Sequence, residues 1–224
     1  MNRMPVPDSL VENVEVTQTW ERFGIILQDL ATALLALADD AVFDISSGSN
    51  DIGTVSVADY RNKFSNMTWS LTLNEYHNGG VGQVVSRWSN ETRRSGWLSA
   101  SQEIKSESFL GYARNGDKGL YYLAAHETAH VSDLGLTTGE KCAEDYRDRT
   151  GATNYDNYAN SREWSTNEIV ANLIAKQVCE RLGFPTLLNA SVGYSLPIAP
   201  HWLHRLLNLN RRPSCCGGSV AVVS

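Results

Sequence analysis

The sequence predicts an α+β fold, on three observations. Residues 17 to 40 carry apolar side chains at helical spacing, residues 67 to 76 alternate apolar and polar as a half-buried strand does, and the helical period returns over 117 to 133 and 165 to 182. The expected order is a long N-terminal helix, a small sheet, and then two helices.

In the first helix Trp20, Phe23, Ile26, Leu27, Leu30, Leu34 and Leu37 recur on one face. Its most apolar part is interrupted by Gln28 and Asp29 and closed by Asp39 and Asp40, so it reads as a buried core helix and no membrane span is expected. Residues 44 to 53, DISSGSNDIG, read as a loop because Gly, Ser and Asn break the period. In MTWSLTLNEY (67 to 76), Met67, Trp69, Leu71 and Leu73 point one way and Thr68, Ser70, Thr72 and Asn74 the other. HNGG at 77 to 80 reads as a turn, VGQVVSRW behind it as the second strand of a hairpin, and the sheet as small and mostly antiparallel. GWLSAS and SFLGYAR are further strand candidates.

Asp117 is the expected N-cap of the next helix, which runs to 133 and stops by Gly135. Residues 137 to 163 are polar, rich in Tyr and Asn, and read as a short helix plus loop. STNEIVANLIAKQVCERLGFP is the clearest helix: Ser165 stands where an N-cap should be, Ile169, Val170, Leu173, Ile174, Val178 and Leu182 form its apolar face, and Gly183 and Pro185 end it. A last short helix is expected after Pro200, in HWLHRLLNL. No repeat or internal boundary breaks the chain, which reads as one domain over residues 1 to 210 with a tail over 211 to 224.

With 224 residues, 42% hydrophobic and 20% charged, the chain can bury a core without staples. A net charge of -6 argues against general nucleic-acid binding, and the pairs Arg93-Arg94 and Arg211-Arg212 read as solvated surface. The start, MNRMPVPDSL, lacks the apolar stretch of a signal peptide. Cys142, Cys179 and the pair Cys215-Cys216 form no CxxC and no scaffold spacing, which favours reduced thiols and an intracellular, cytoplasmic protein. The sequons at Asn66, Asn90 and Asn189 carry little weight without a secretion signal. No feature sets an oligomeric state.

The chemistry sits in LYYLAAHETAHVSDLG, residues 120 to 135. On a helix, His126 and His130 lie one above the other and present two imidazoles to one point, a spacing that suits Zn²⁺. Glu127 lies one step round the helix and can serve as a base instead of a ligand. The bland alternative is two histidines on a solvated helix face. Tyr121, Tyr122 and Leu123 oppose it, because they mark a buried helix where unpaired polar groups are costly.

A catalytic zinc needs a third protein ligand. Glu168 opens the apolar helix with Ala171 and Asn172 on the same face, and a second helix packed on the first could bring that carboxylate to the metal. Ser165-x-x-Glu168 is also a capping-box pattern, and taken alone the two readings stand level. With HExxH upstream the ligand reading is preferred. Asp133, three residues past His130, is a candidate to orient an imidazole, and Asn172 is a candidate to support the site from outside or to stabilise the transition state. Glu140, Glu144 and Asp145 have no positional argument, and His201 and His204 come late in the chain.

HExxH followed by E-x-x-A on a second helix resembles the gluzincin zinc peptidases. EIVANLIAKQVC is similar to the E-x-x-A-N-x-F-A signature of the ImmA/IrrE-like metallopeptidases, with Ile174 in the Phe place. The likeness covers roughly residues 117 to 182, and the segment between the two helices is longer and more polar than in that family. It implies a zincin-like fold in which the HExxH helix packs against the second ligand helix. It also implies zinc on His126, His130 and Glu168, with Glu127 as catalytic base.

The expected activity is hydrolysis of a protein or peptide substrate. The developing oxyanion needs a second electrophile, for which Tyr155, Tyr158, Tyr194 and His201 are candidates, the 155 to 158 stretch first because it lies between the motif helices. A substrate strand would pair with a sheet edge, supplied by the 67 to 88 hairpin or by residues 106 to 114. The alternative class is a structural or interaction protein, for example virion-associated, that keeps a zinc-binding peptidase fold. Glu127 discriminates, because a purely structural zinc has no use for an acid there.

Overall fold

The computed structural model describes residues 2–47, 50–73, 82–88, 97–151, 158, 161–185 and 187, and the fold is α+β. Strand β1 (Asn2–Arg3) and the short helix α1 (Asp8–Val11) lead into the long helix α2 (Val14–Leu35). The strands β2 (Val42–Ser47) and β3 (Asn50–Ser56) precede α3 (Val57–Ser65). Then come β4 (Met67–Thr72), β5 (Gly82–Trp88), β6 (Trp97–Lys105) and α4 (Ser106–Ala113). The chain continues through α5 (Asp117–Val131), α6 (Asp133–Thr150) and α7 (Arg162–Leu182).

The larger sheet has the order β1-β4-β6-β5, and it is mixed instead of mostly antiparallel: β4 runs parallel to β1 and to β6, and only β5 is antiparallel. The expected hairpin of 67 to 88 does not form, because β6 lies between β4 and β5. The reason is visible in β6, the longest strand. It pairs with β4 along one edge, over Ala100 to Lys105, and with β5 along the other, over Trp97 to Ile104, while β1 takes the remaining edge of β4, so β4 has no edge left for β5. Of residues 44 to 53, expected as a loop, 44 to 47 and 50 to 53 belong to the antiparallel pair β2–β3, where Phe43, Ile45 and Val55 turn inward, and 48 and 49 lie outside the described residues. SFLGYAR is helical within α4, so 106 to 114 offers no strand edge. The turn at 77 to 80, the helix expected after Pro200 and the tail over 211 to 224 lie outside the described residues.

One core runs through the described residues. Trp20 and Phe23 of α2 meet Trp69 of β4 and Phe109 of α4 with ring centroids 5.3 to 5.5 Å apart, mostly edge to face. Helix α5 lies at the centre, with neighbours α2, α3, α4, α6 and α7, and touches β5. Residues 119 to 129 are buried all round it, which is why the stretch shows little amphipathic bias. Asp117 does not cap α5; Gly116 takes the cap position, and Asp117 is paired with Arg22 of α2. Helix α7 starts a turn earlier than Ser165, capped by the Ser161 hydroxyl. Residues 137 to 150, expected as part helix and part loop, belong to α6, whose buried stripe is Thr138, Cys142 and Tyr146 at spacing i, i+4, i+8.

The corner between α5 and α6 is closely packed. Ser132 is wholly buried; its hydroxyl donates to the Ala129 carbonyl at 2.7 Å and accepts from the Gly135 amide at 3.2 Å, capping α6. A Cβ on Gly135 would lie 1.9 Å from the Ala129 carbonyl oxygen, so only glycine lets α6 leave α5 at this angle. Gly135→Ala is expected to lower stability by about 1–3 kcal/mol or more, the cost of overpacking against atoms that cannot move aside. Denaturant melts check it, and unchanged stability would show that the corner can open freely.

Cys142 and Cys179 are buried free thiols, and burial pushes Cys142 up to about 12. No helix among the described residues is long and apolar enough to cross a membrane.

Candidate metal centre

Helix α5 brings His126 and His130 to one side, one turn apart, with their rings at 89° and 4.7 Å between centroids. Helix α7 packs along α5, and both helices bury small and apolar residues, among them Ala124, Ala125 and Ala129 in α5 and Val170, Ala171 and Ile174 in α7. That packing carries Glu168 across a gap of 42 residues in sequence to within 3.2 Å of His126 Nε2. His130 Nε2 lies 3.1 Å from His126 Nε2 and 3.5 Å from Glu168 Oε2. Three ligand atoms thus converge, and His126, His130 and Glu168 form a group that could hold a metal ion.

The electrostatics favour a cation. Burial alone would lower the His130 pKa, but Glu168 in contact and Glu127 nearby overcome it and raise the imidazole to about 9. Burial would raise Glu168, yet the two imidazoles hold it well below the usual carboxylate range. Glu127 behaves differently. It is buried beside the cluster, burial raises its carboxyl against the opposing pull of the two imidazoles, and among the described residues no hydrogen-bond donor engages it. Its carboxyl thus lies buried beside the His126–His130–Glu168 group.

The capping-box alternative for Glu168 fails on geometry. Ser165 lies inside α7 and its hydroxyl donates to the Ser161 carbonyl, so Glu168 stands two turns into the helix.

The remaining sequence candidates fall in different places. Asp133 does not reach an imidazole. It begins α6 and turns to α3, where its amide donates to Asp59 at 3.0 Å and its carboxylate lies 3.5 Å from the buried Lys63 ammonium. Asn172, one turn past Glu168, accepts a hydrogen bond from the Tyr122 hydroxyl. Tyr158 packs edge-on against Tyr146 and Trp164 in an aromatic cluster between α6 and α7. Tyr155, Tyr194, His201 and His204 lie outside the described residues. Tyr122 is the residue that sequence reasoning missed. Its hydroxyl lies 3.3 Å from His126 Nδ1, and the signal was available, since Tyr122, His126 and His130 form one stripe at i, i+4 and i+8.

Comparison with family models, with curated proteins and with solved structures yields no match to the chain.

Proposed function

We propose that this chain is a zinc-dependent peptidase of gluzincin type, similar to the ImmA/IrrE-like metallopeptidases. The observation that carries the reading is the meeting of His126, His130 and Glu168 with Glu127 buried beside them. Two imidazoles and one carboxylate are a donor set that suits catalytic zinc. Around a tetrahedral ion with ligands at about 2.0–2.1 Å, ligand atoms stand roughly 3.3 Å apart. The three separations here, 3.1, 3.2 and 3.5 Å, fit such an ion.

Zinc, when bound, supplies a Lewis acid and shifts the acidity of water from near 16 towards about 7. The chain's own residues do the rest. Glu127 accepts the proton of the attacking water on its carboxylate and delivers it to the leaving amine, and a carboxyl raised by burial is better matched to that exchange at neutral pH. Strand β5 supports a peptide substrate. It is the antiparallel edge of the larger sheet, it touches α5, and among the described residues it has a neighbour on one side only. An extended peptide could add there through main-chain hydrogen bonds. A metal that served only to join α5 to α7 would have no use for Glu127.

The test is a broad peptide library, read by mass spectrometry for new termini. Cleavage by the zinc-loaded protein is expected, abolished by a chelator and restored by added zinc. Cleavage indifferent to the chelator, or no new termini from the zinc-loaded chain, would count against the peptidase reading.

A further inference from the structure

His126 can serve a metal through Nε2 only if its single neutral-form hydrogen sits on Nδ1. Nothing in the HExxH spacing guarantees that tautomer. The structure supplies a route to it through a tyrosine and an amide. Tyr122 lies one turn before His126 on α5, and Asn172 lies one turn after Glu168 on α7, so the two helices that hold the three ligands also hold this pair. The Tyr122 hydroxyl is 3.3 Å from His126 Nδ1 and donates to Asn172 Oδ1. The Tyr122 ring stacks on the His126 ring at 28° and 5.3 Å, and the Tyr112 ring of α4 stacks on Tyr122 at 28° and 5.9 Å.

We propose that Tyr122 and Asn172 are positioning residues that fix the tautomer of His126, an inference that rests on the metal site proposed above. A phenol has one proton to give. An amide carbonyl can only accept, so Asn172 Oδ1 takes that proton, and the Tyr122 oxygen is left to accept from His126 Nδ1–H. The Nε2 lone pair then points at His130 and Glu168, where the ligand atoms meet. The opposite direction, an amide N–H donating to Tyr122 and Tyr122 donating to Nδ1, would leave the hydrogen on Nε2 and block it. Metal binding and the Asn172 carbonyl thus require the same orientation of the chain of hydrogen bonds. Because the relay joins α5 to α7 a turn away from the ligands, it also resists sliding of one helix along the other.

The test combines two readouts. The ¹⁵N shifts of the His126 ring, read at a pH where the ring is neutral and with chelator present, report the tautomer directly; zinc affinity comes from competition with a chromophoric chelator. Wild type should show Nδ1–H at His126. Tyr122→Phe, which keeps the ring stack, and Asn172→Leu, which removes the acceptor, should each mix the tautomers and weaken zinc about ten- to a hundredfold. Asn172→Asp keeps an acceptor that cannot donate and should restore both readouts. The double variant should be no weaker than either single one, since the two residues act in series. Wild-type His126 with its hydrogen on Nε2, unaltered shifts in both variants, or Asn172→Asp as weak as Asn172→Leu would each overturn the relay. Wild-type protein that shows the Nδ1–H tautomer but binds no zinc would instead remove the metal reading and leave the hydrogen-bond relay standing.

Discussion

Glu127→Gln is expected to keep the zinc content and melting temperature of the wild type while hydrolysis of an unstructured peptide falls by roughly two to four powers of ten, the contribution of a positioned acid/base. The substitution keeps the side chain's size and one carbonyl oxygen but cannot accept a proton at neutral pH. Folding should not suffer: the Glu127 carboxylate makes no hydrogen bond among the described residues, and burial already disfavours its charge. Zinc should be retained, because Glu127 is not among the three converging ligand groups. Metal analysis, thermal melts and turnover on one substrate decide the matter together. Turnover equal to wild type would reject Glu127 as the base, and loss of zinc along with turnover would make it a ligand instead.

Glu168→Ala is the second large effect. Zinc per chain should fall from about one to near zero under conditions where the wild type is saturated, a weakening beyond the ten- to hundredfold typical of groups that only support a ligand. In chelator-treated protein the His130 imidazole should titrate near 9 in the wild type and well below that in the variant, since burial is then opposed by Glu127 alone. The chain should still fold, because α7 is capped by Ser161 and not by Glu168. Zinc bound as tightly as in the wild type would return Glu168 to a structural role and send the search for the third ligand elsewhere.

Much of the helical part of the molecule is legible in the amino-acid sequence. Helix α2 and the apolar face of α7 follow from a period of 3.6, which lies within a single short stretch of chain. The pairing of His126 with His130 is of the same kind, since four residues of helix place two imidazoles at one point whatever surrounds them. Helix α6 is half hidden for a physical reason. Its buried stripe is Thr138, Cys142 and Tyr146, and small or polar residues at those positions give almost no hydrophobic signal.

What the sequence could not order was everything that depends on segments distant along the chain. A strand pattern says which side chains face inward but not which strand lies alongside, so β4 and β5 read as a hairpin although both pair with β6. The two glycines and the serines of 44 to 53 read as a loop because local propensity was all there was to weigh; α7 packed over β2, together with the inward turn of Phe43 and Ile45, makes residues 44 to 47 and 50 to 53 part of a sheet. Glu168 was ambiguous for the same reason. Its own neighbourhood fits a helix cap as well as a ligand, and only the packing of α7 on α5, with the cap moved back to Ser161, puts its carboxylate 3.2 Å from His126. The sequence by itself determined two imidazoles and an acid on one helix, because that geometry is local. The meeting of Glu168 with the two imidazoles, and of Tyr122 with both His126 and Asn172, was decided by tertiary structure, because these contacts depend on how α5 and α7 pack together.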